Sequence, residues 1–304
     1  MLKYIADNIK IQICDHVLNQ EAVTELALTA FFAGGHILLS GSTGLGKTRW
    51  AQAFTDALGI SYNRIRFTEN THPSEILESY ARDPENQGVE SCQGFLSSQS
   101  ILADEIDNAH PEIHTIVMDI MDRHNHSLTV SGVPSPFPGP HLVIGSCKWA
   151  HNLPETLSDR FMMKLYINYP GVAAEKQILQ MYHVGAAQDA KSVPICTPDA
   201  IAQAKHEVQA VAVEDAIFNY IVSIVETTRR VSAIQTGVSP RGSIALLMAA
   251  KAYAAINGRD FVTIDDVRNL AIPVLRHRIN LRPDAIKEGI QADRIIESII
   301  VGKG

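Results

Sequence analysis

Eight consecutive residues, Gly41-Ser42-Thr43-Gly44-Leu45-Gly46-Lys47-Thr48, have the types and spacing of a phosphate-binding loop. Its glycines let backbone N–H groups turn inward around phosphate oxygens, Lys47 can reach β and γ phosphates, and the Thr48 hydroxyl can ligate Mg²⁺. An apolar run, "GHILLSG", precedes the loop and a helical pattern follows it. The positive end of that helix then points at the same anions.

A second pair with chemical potential closes the stretch "SILADE": Asp104 and Glu105 follow an apolar run ending in Ile101, Leu102 and Ala103. Two acids at the mouth of a buried strand are costly unless a positive group sits there. Asp104 is expected to bind Mg²⁺ through the metal's water shell. Glu105 is expected to orient and polarise an attacking water as a general base. Mg²⁺ and Lys47 are the expected positive partners.

The elements that must position these groups are legible as short apolar runs flanked by turn residues. "GHILLSG", "LADE", "HLVIGSCKW" and "MMKLYINYP" read as strands, and the helical patterns between them suggest crossovers of a parallel sheet. The segments 81–94 and 127–141 break the rhythm with polar, Gly- and Pro-rich sequence and read as hairpins or projecting loops. Beyond about residue 190 the pattern is helical throughout. One helix opens at Ser239 with Pro240 in its first turn and closes at Asn257–Gly258, and Thr263 with Asp266 has capping-box spacing. The expected organisation is an α/β domain over 1–182, a linker over 183–196 and an all-helical domain over 197–304.

Composition narrows the function classes. The chain has 304 residues, 46% hydrophobic and 19% charged, with a net charge of -7 and no basic cluster. That profile fits a globular protein and disfavours non-specific nucleic-acid binding. The N-terminus lacks the run of a signal peptide and no apolar stretch has the length of a membrane span, so a cytoplasmic protein without membrane insertion is expected. Cys14, Cys92, Cys147 and Cys196 are scattered without CxxC spacing, which suits reduced structural cysteines.

Taken together, "GHILLSGSTGLGKT", "RIRFTENTHPSEI", "LADEIDNAHPE", "LPETLSDRFMMKLYINYP" and "SPRGSIALLMAAKAYAAINGRDFVTIDDV" with "VLRHRI" resemble the AAA+ ATPases, and within them the MoxR family. The resemblance runs from about Val17 to Ile279. It implies a P-loop NTPase sheet domain with a helical lid, binding ATP with Mg²⁺ and hydrolysing it in a homo-oligomeric, hexameric ring. It also implies a chaperone-like role in remodelling or maturing a client protein, alongside a von Willebrand factor A-domain partner. By position, Arg160 in "SDRF" matches the arginine finger, which acts on a neighbouring subunit's nucleotide. Arg241 in "SPRG" matches sensor 2, with Arg229 in "ETTRR" a second candidate. The segments 81–94 and 127–141 fall where the family carries its helix-2 insert and pre-sensor hairpin.

The chain departs from the family at sensor 1. Lys148 stands where Asn is usual, and Trp149 where Pro is expected. Lysine donates hydrogen bonds but accepts none, so it can add positive charge at a phosphate but cannot hold a water as Asn can. Lys148 either joins the site or turns to solvent while Ser146 or a water fills in. The corresponding alternative function is a nucleotide-dependent assembly switch with little hydrolysis. His110 and His114 in "HPEIH" lack the HExxH pattern and a third ligand, and read as surface or capping histidines. "DRHNHS" (122–127) reads as a helix end.

Overall fold

The computed structural model describes residues 1–73, 76, 98–122, 127–130, 133–136, 141–148, 153–183 and 193–302. Helices α1 (Leu2–His16) and α2 (Glu21–Phe32) lead into strand β1 (Ile37–Ser40), the phosphate-type loop, α3 (Lys47–Leu58) and β2 (Tyr62–Arg66). Strand β3 (Ser100–Asp104), a short 3₁₀ turn at Ile106–Asn108 and α4 (Pro111–Met121) follow. Strands β4 (Ser127–Val130) and β5 (Val133–Pro136) pair antiparallel as a hairpin within the segment read as an interruption. The segment 81–94 lies outside the described residues. Then come β6 (Leu142–Cys147), the one-turn α5 (Glu155–Ser158), β7 (Met163–Tyr166) and α6 (Val172–His183).

Among the described residues the main sheet has five strands in the order β2-β3-β6-β1-β7, every neighbouring pair parallel. Strands β1, β3 and β6 are buried along their whole length, so they read as unbroken apolar runs. Edge strand β2 instead alternates, with Arg64 and Arg66 among its less buried positions, and nothing in its sequence announced a strand. Parallel order brings the C-terminal ends of β1, β3 and β6 side by side, which is where an open α/β sheet receives ligands.

The remaining chain forms α7 (Pro198–Ala210), α8 (Asp215–Arg230), β8 (Ile234–Thr236), α9 (Pro240–Ile256), α10 (Ile264–Leu275), β9 (Asn280–Leu281), α11 (Pro283–Lys287) and α12 (Ala292–Val301). Thr263 and Asp266 make the reciprocal capping box at the start of α10. Ser239 stands at the N-cap of α9, but its hydroxyl makes no cap hydrogen bond. One apolar cluster runs from α1 and α2 through Leu39, Ile144 and Leu165 of the sheet into α8, α9, α10 and α12. A second cluster on the other sheet face gathers Leu38, Ile101, Val143 and Phe161 with Ile113 and Val117 of α4. No helix of the described residues is long and apolar enough to cross a membrane.

Candidate functional site

The loop after β1 is shaped by close backbone contacts. The Gly41 N–H donates to Cys147 O at 3.2 Å, and a Cβ at Gly41 would lie 2.5 Å from Ile167 O. Gly46 is the N-cap of α3 at φ 85°, a left-handed conformation that strains any residue with a Cβ. The helix behind it is anchored by Trp50, fully buried, which stacks on Phe54 with ring centroids 4.9 Å apart and donates its indole N–H to Thr24 Oγ1 of α2 at 3.2 Å. Lys47 folds over the loop, its ammonium donating to Gly41 O at 2.6 Å and Ser42 O at 2.9 Å.

Sheet order carries the two acids to this loop. The Thr48 hydroxyl donates to Asp104 Oδ2 at 3.1 Å, across 56 residues of sequence. Ser146 at the end of β6 donates to Asp104 Oδ1 and accepts the Glu105 N–H at 3.1 Å. From β2, Arg64 reaches Asp104 Oδ2 with Nε at 2.8 Å and a terminal nitrogen at 2.6 Å. Arg66, two residues on and on the same strand face, forks onto Glu105 with bonds of 3.0 and 3.1 Å. The positive groups beside the acids are therefore two arginines of the edge strand, whereas Lys47 is bonded to its own loop. Burial alone would raise the Asp104 carboxyl pKa. Hydrogen bonds from Ser146 and Arg64, the Arg64 charge and the Thr48 hydroxyl outweigh it and hold the group below its ordinary value.

Glu105 adopts φ 57° and ψ 42°, a left-handed conformation rare outside glycine that costs about 1–2 kcal/mol. Its bonds to Ser146 and Arg66 hold it there. Thr43, Gly44, Gly46, Lys47, Thr48, both acids, both arginines and Lys148 line one cavity of about 680 Å³. The Lys148 side chain is exposed at this cavity, and its backbone N–H donates to Asp107 Oδ2 at 3.0 Å. Thr48 and Asp104 form a hard oxygen pair, one of them an ionised carboxylate, which fits Mg²⁺. On the other side of Gly44–Gly46 lies a smaller pocket of about 160 Å³, walled by Val17, Leu18, Gln20, Leu45, Ile178 and Tyr182.

Arg160 and Arg241 lie elsewhere. Arg160 bonds Asp122 at 3.2 Å, and Arg241 bonds Asp159 Oδ2 at 3.1 Å. Both line a cavity of about 480 Å³ together with Glu155, His277 and Arg278, and none of its lining residues belongs to the cavity around Lys47. Arg229 donates instead to Val238 O at 3.0 Å and does not line that cavity. His114 is buried rather than on the surface, with its Nε2 bonded to Ile106 O at 3.0 Å. His110 holds the N-cap position of α4 without a side-chain cap bond. The described residues contain no group of three or more His, Cys, Asp or Glu able to hold a metal. Cys14, Cys147 and Cys196 form no disulfide, and burial pushes the pKa of the latter two thiols up to about 11, which keeps them protonated and unreactive. Residues 123–126, Trp149 and Cys92 lie outside the described residues.

Sequence reasoning missed Arg64, Arg66 and the apolar pocket. The arginines belong to a strand without an apolar run, and the pocket joins the α1–α2 turn to α6, segments about 150 residues apart.

Comparison with known proteins agrees with this fold. Residues 36–163 match the model of the ATPase family associated with various cellular activities (AAA), and residues 226–299 match the AAA lid domain. The uncharacterized protein YeaC of Bacillus subtilis is 34% identical over 289 residues, covering 93% of this chain and 89% of that protein. Chaperone MoxR1 of Mycobacterium tuberculosis is 28% identical over 303 residues, covering 93% of this chain and 78% of that protein. A crystal structure of a Cytophaga hutchinsonii protein assigned as an ATPase superposes with a TM-score of 0.86 at 27% identity, covering 98% of this chain and 94% of that one. The chain belongs to the MoxR family of AAA+ ATPases.

Proposed function

We propose that this protein binds ATP with Mg²⁺ in the cavity around Lys47 and hydrolyses it in an oligomeric ring, using the energy to remodel or activate a client protein. The observation that carries the reading is the 3.1 Å contact between Thr48 and Asp104, with Glu105 next in chain and the phosphate loop opposite. Loop N–H groups and Lys47 bind the phosphates, once Lys47 exchanges its bonds to Gly41 and Ser42 for phosphate oxygens. The pocket walled by Val17, Leu45 and Tyr182 takes the planar base. Thr48 and Asp104 would hold Mg²⁺, which would supply charge neutralisation to the phosphates. Glu105 accepts the proton of the attacking water after leaving Arg66. Lys148 adds positive charge at the γ-phosphate end.

Arg160 and Arg241 share a cavity apart from the chain's own phosphate loop. We infer that both serve the nucleotide of an adjacent subunit, which makes hydrolysis a property of the assembly. A cytoplasmic setting and a division into a sheet domain over 1–182 and a lid over 197–304 belong to the same reading. The client, and a von Willebrand factor A-domain partner, rest on family resemblance and on the name of the mycobacterial chaperone.

A second reading is favoured by one observation: Asp104 and Glu105 are both engaged by arginines. A site so neutralised suits a switch that binds ATP and assembles but turns over slowly until a partner rearranges it. The test that separates the readings is ATP binding and phosphate release by the unaltered chain and by Glu105→Gln. The hydrolytic reading expects tight binding in both and turnover only in the unaltered chain. Equal turnover in both would remove Glu105 from the chemistry.

A further inference from the structure

Arg278, at the end of the segment following α10, uses its whole hydrogen-bonding capacity, with four bonds on the stretch 159–162 of the sheet half and one on Val274 of α10. An arginine side chain offers five N–H donors, and all five are satisfied. Nε donates to Asp159 Oδ1 at 2.9 Å, and the terminal nitrogens donate to Asp159 O at 3.1 Å, Phe161 O at 2.7 Å, Met162 O at 3.0 Å and Val274 O. Four of those bonds fall on residues that flank Arg160. The guanidinium is buried, and burial, partly offset by Asp159, lowers its pKa to about 10, so it stays charged at neutral pH.

Neighbouring contacts reinforce the same join. His277 bonds Phe161 O at 2.9 Å and the Ser158 hydroxyl donates to His277 O at 3.2 Å. Asp159 is shared, since Arg241 takes its other carboxylate oxygen at 3.1 Å. Gly242, one residue beyond Arg241, leaves room for the stem: a Cβ there would lie 3.0 Å from Arg278 Cδ and 2.3 Å from Val238 Cγ1. Helix α9, the segment 276–278 and the Arg160 loop are thus one hydrogen-bonded unit, on a core continuous with the sheet.

We propose that Arg278 is a positioning residue that locks the Arg160 loop to the helical half, so that Arg160 and Arg241 are presented to a neighbouring subunit's nucleotide as one rigid pair. The proposal rests on the reading that the protein is an ATPase completed between subunits. Motion of the helical half then shifts both arginines together, coupling its position to catalysis next door. Arg278 itself touches no nucleotide.

The test is Arg278→Lys in the full chain, which keeps the charge but cannot form the fork. Misplacement of the Arg160 loop by about 1 Å lowers turnover about 100-fold, with ATP affinity of the isolated subunit within about threefold of the unaltered chain. A generally weakened fold would give the same loss, so the deciding readout is complementation. Arg278→Lys has an intact Glu105 and a displaced Arg160; Glu105→Gln has the reverse. Co-expressed in one assembly, the two inactive chains regain turnover at Arg278→Lys sites served by Glu105→Gln neighbours. No recovery above the separate variants would overturn the proposal.

Hydrogen exchange supplies a readout that needs no hydrolysis: the amides of Arg160, Phe161 and Met162 exchange about tenfold faster in Arg278→Lys while those of α10 do not. Unchanged exchange at those three amides would also overturn it. Should Arg278→Lys fail to fold, Asp159→Asn, which keeps shape and removes the shared carboxylate charge, carries the same complementation and exchange tests. Absence of phosphate release by the unaltered chain would count against the ATPase reading, and the exchange result would still decide the role of Arg278.

Discussion

Arg66 grips the carboxylate of Glu105 with two hydrogen bonds of 3.0 and 3.1 Å, so the proposed general base is paired with a cation from the neighbouring strand. A carboxylate in that fork has one lone pair of each oxygen engaged and its charge offset by the guanidinium, which makes it a weaker acceptor for a water proton. The arginine side chain is 61% exposed, and an exposed pair is screened by salt and readily exchanged. Arg66→Ala should therefore raise basal phosphate release several-fold while leaving ATP affinity nearly unchanged. Steady-state kinetics with and without the substitution check this, and a lower kcat in Arg66→Ala would show that the fork aids the chemistry.

Glu105→Gln keeps the side-chain shape and leaves Asp104 and Thr48 in place. Loss of a general base lowers turnover by about 100- to 10,000-fold. Equilibrium ATP binding should remain within a few-fold of the unaltered chain. Binding measured beside turnover separates loss of the base from collapse of the pocket.

Asp104 links the site to acid stability. Its carboxyl pKa is depressed in the folded chain, against the pull of burial, by Ser146, Arg64 and Thr48. A depressed carboxylate stabilises the fold at pH above its unfolded value and loses that contribution as pH falls through the folded value. Arg64→Gln removes one of the depressing groups, so its acid-unfolding midpoint should move to higher pH. Circular dichroism across an acid titration checks the direction; an unmoved midpoint would mean that Ser146 and Thr48 suffice.

The arginines of the second cavity make a different forecast. Arg160→Ala should lower turnover of the assembled protein about 1,000-fold, the scale of a finger that meets developing phosphate charge. ATP binding to the dilute subunit should be unaffected, because Arg160 bonds Asp122 and lines a cavity separate from the phosphate loop. Weakened binding in the dilute subunit would place Arg160 at its own chain's nucleotide.

The legible parts of the site were those defined over short stretches of chain. Gly41 to Thr48 fit within one turn and the start of one helix, and Asp104–Glu105 directly follows an apolar run. The capping box of Thr263 and Asp266 is equally local and forms as read. What stayed hidden depends on sheet order. Arg64 and Arg66 meet the acids because β2 lies beside β3, and β2 is an edge strand whose alternating polarity hides it among loops. Arg241 finds Asp159 across 82 residues and Arg278 finds it across 119, separations that no spacing rule spans. Lys148 was visible as a departure from the family, and its exposed place at the mouth of the cavity could be read only from the fold.

The most direct measurement is phosphate release from ATP and Mg²⁺ by the purified chain over a wide range of protein concentration. With Arg160 and Arg241 completing a neighbour's site, specific activity should rise with concentration and level off as assembly saturates. Specific activity that stays constant down to concentrations at which the chain is a monomer would contradict a site shared between subunits.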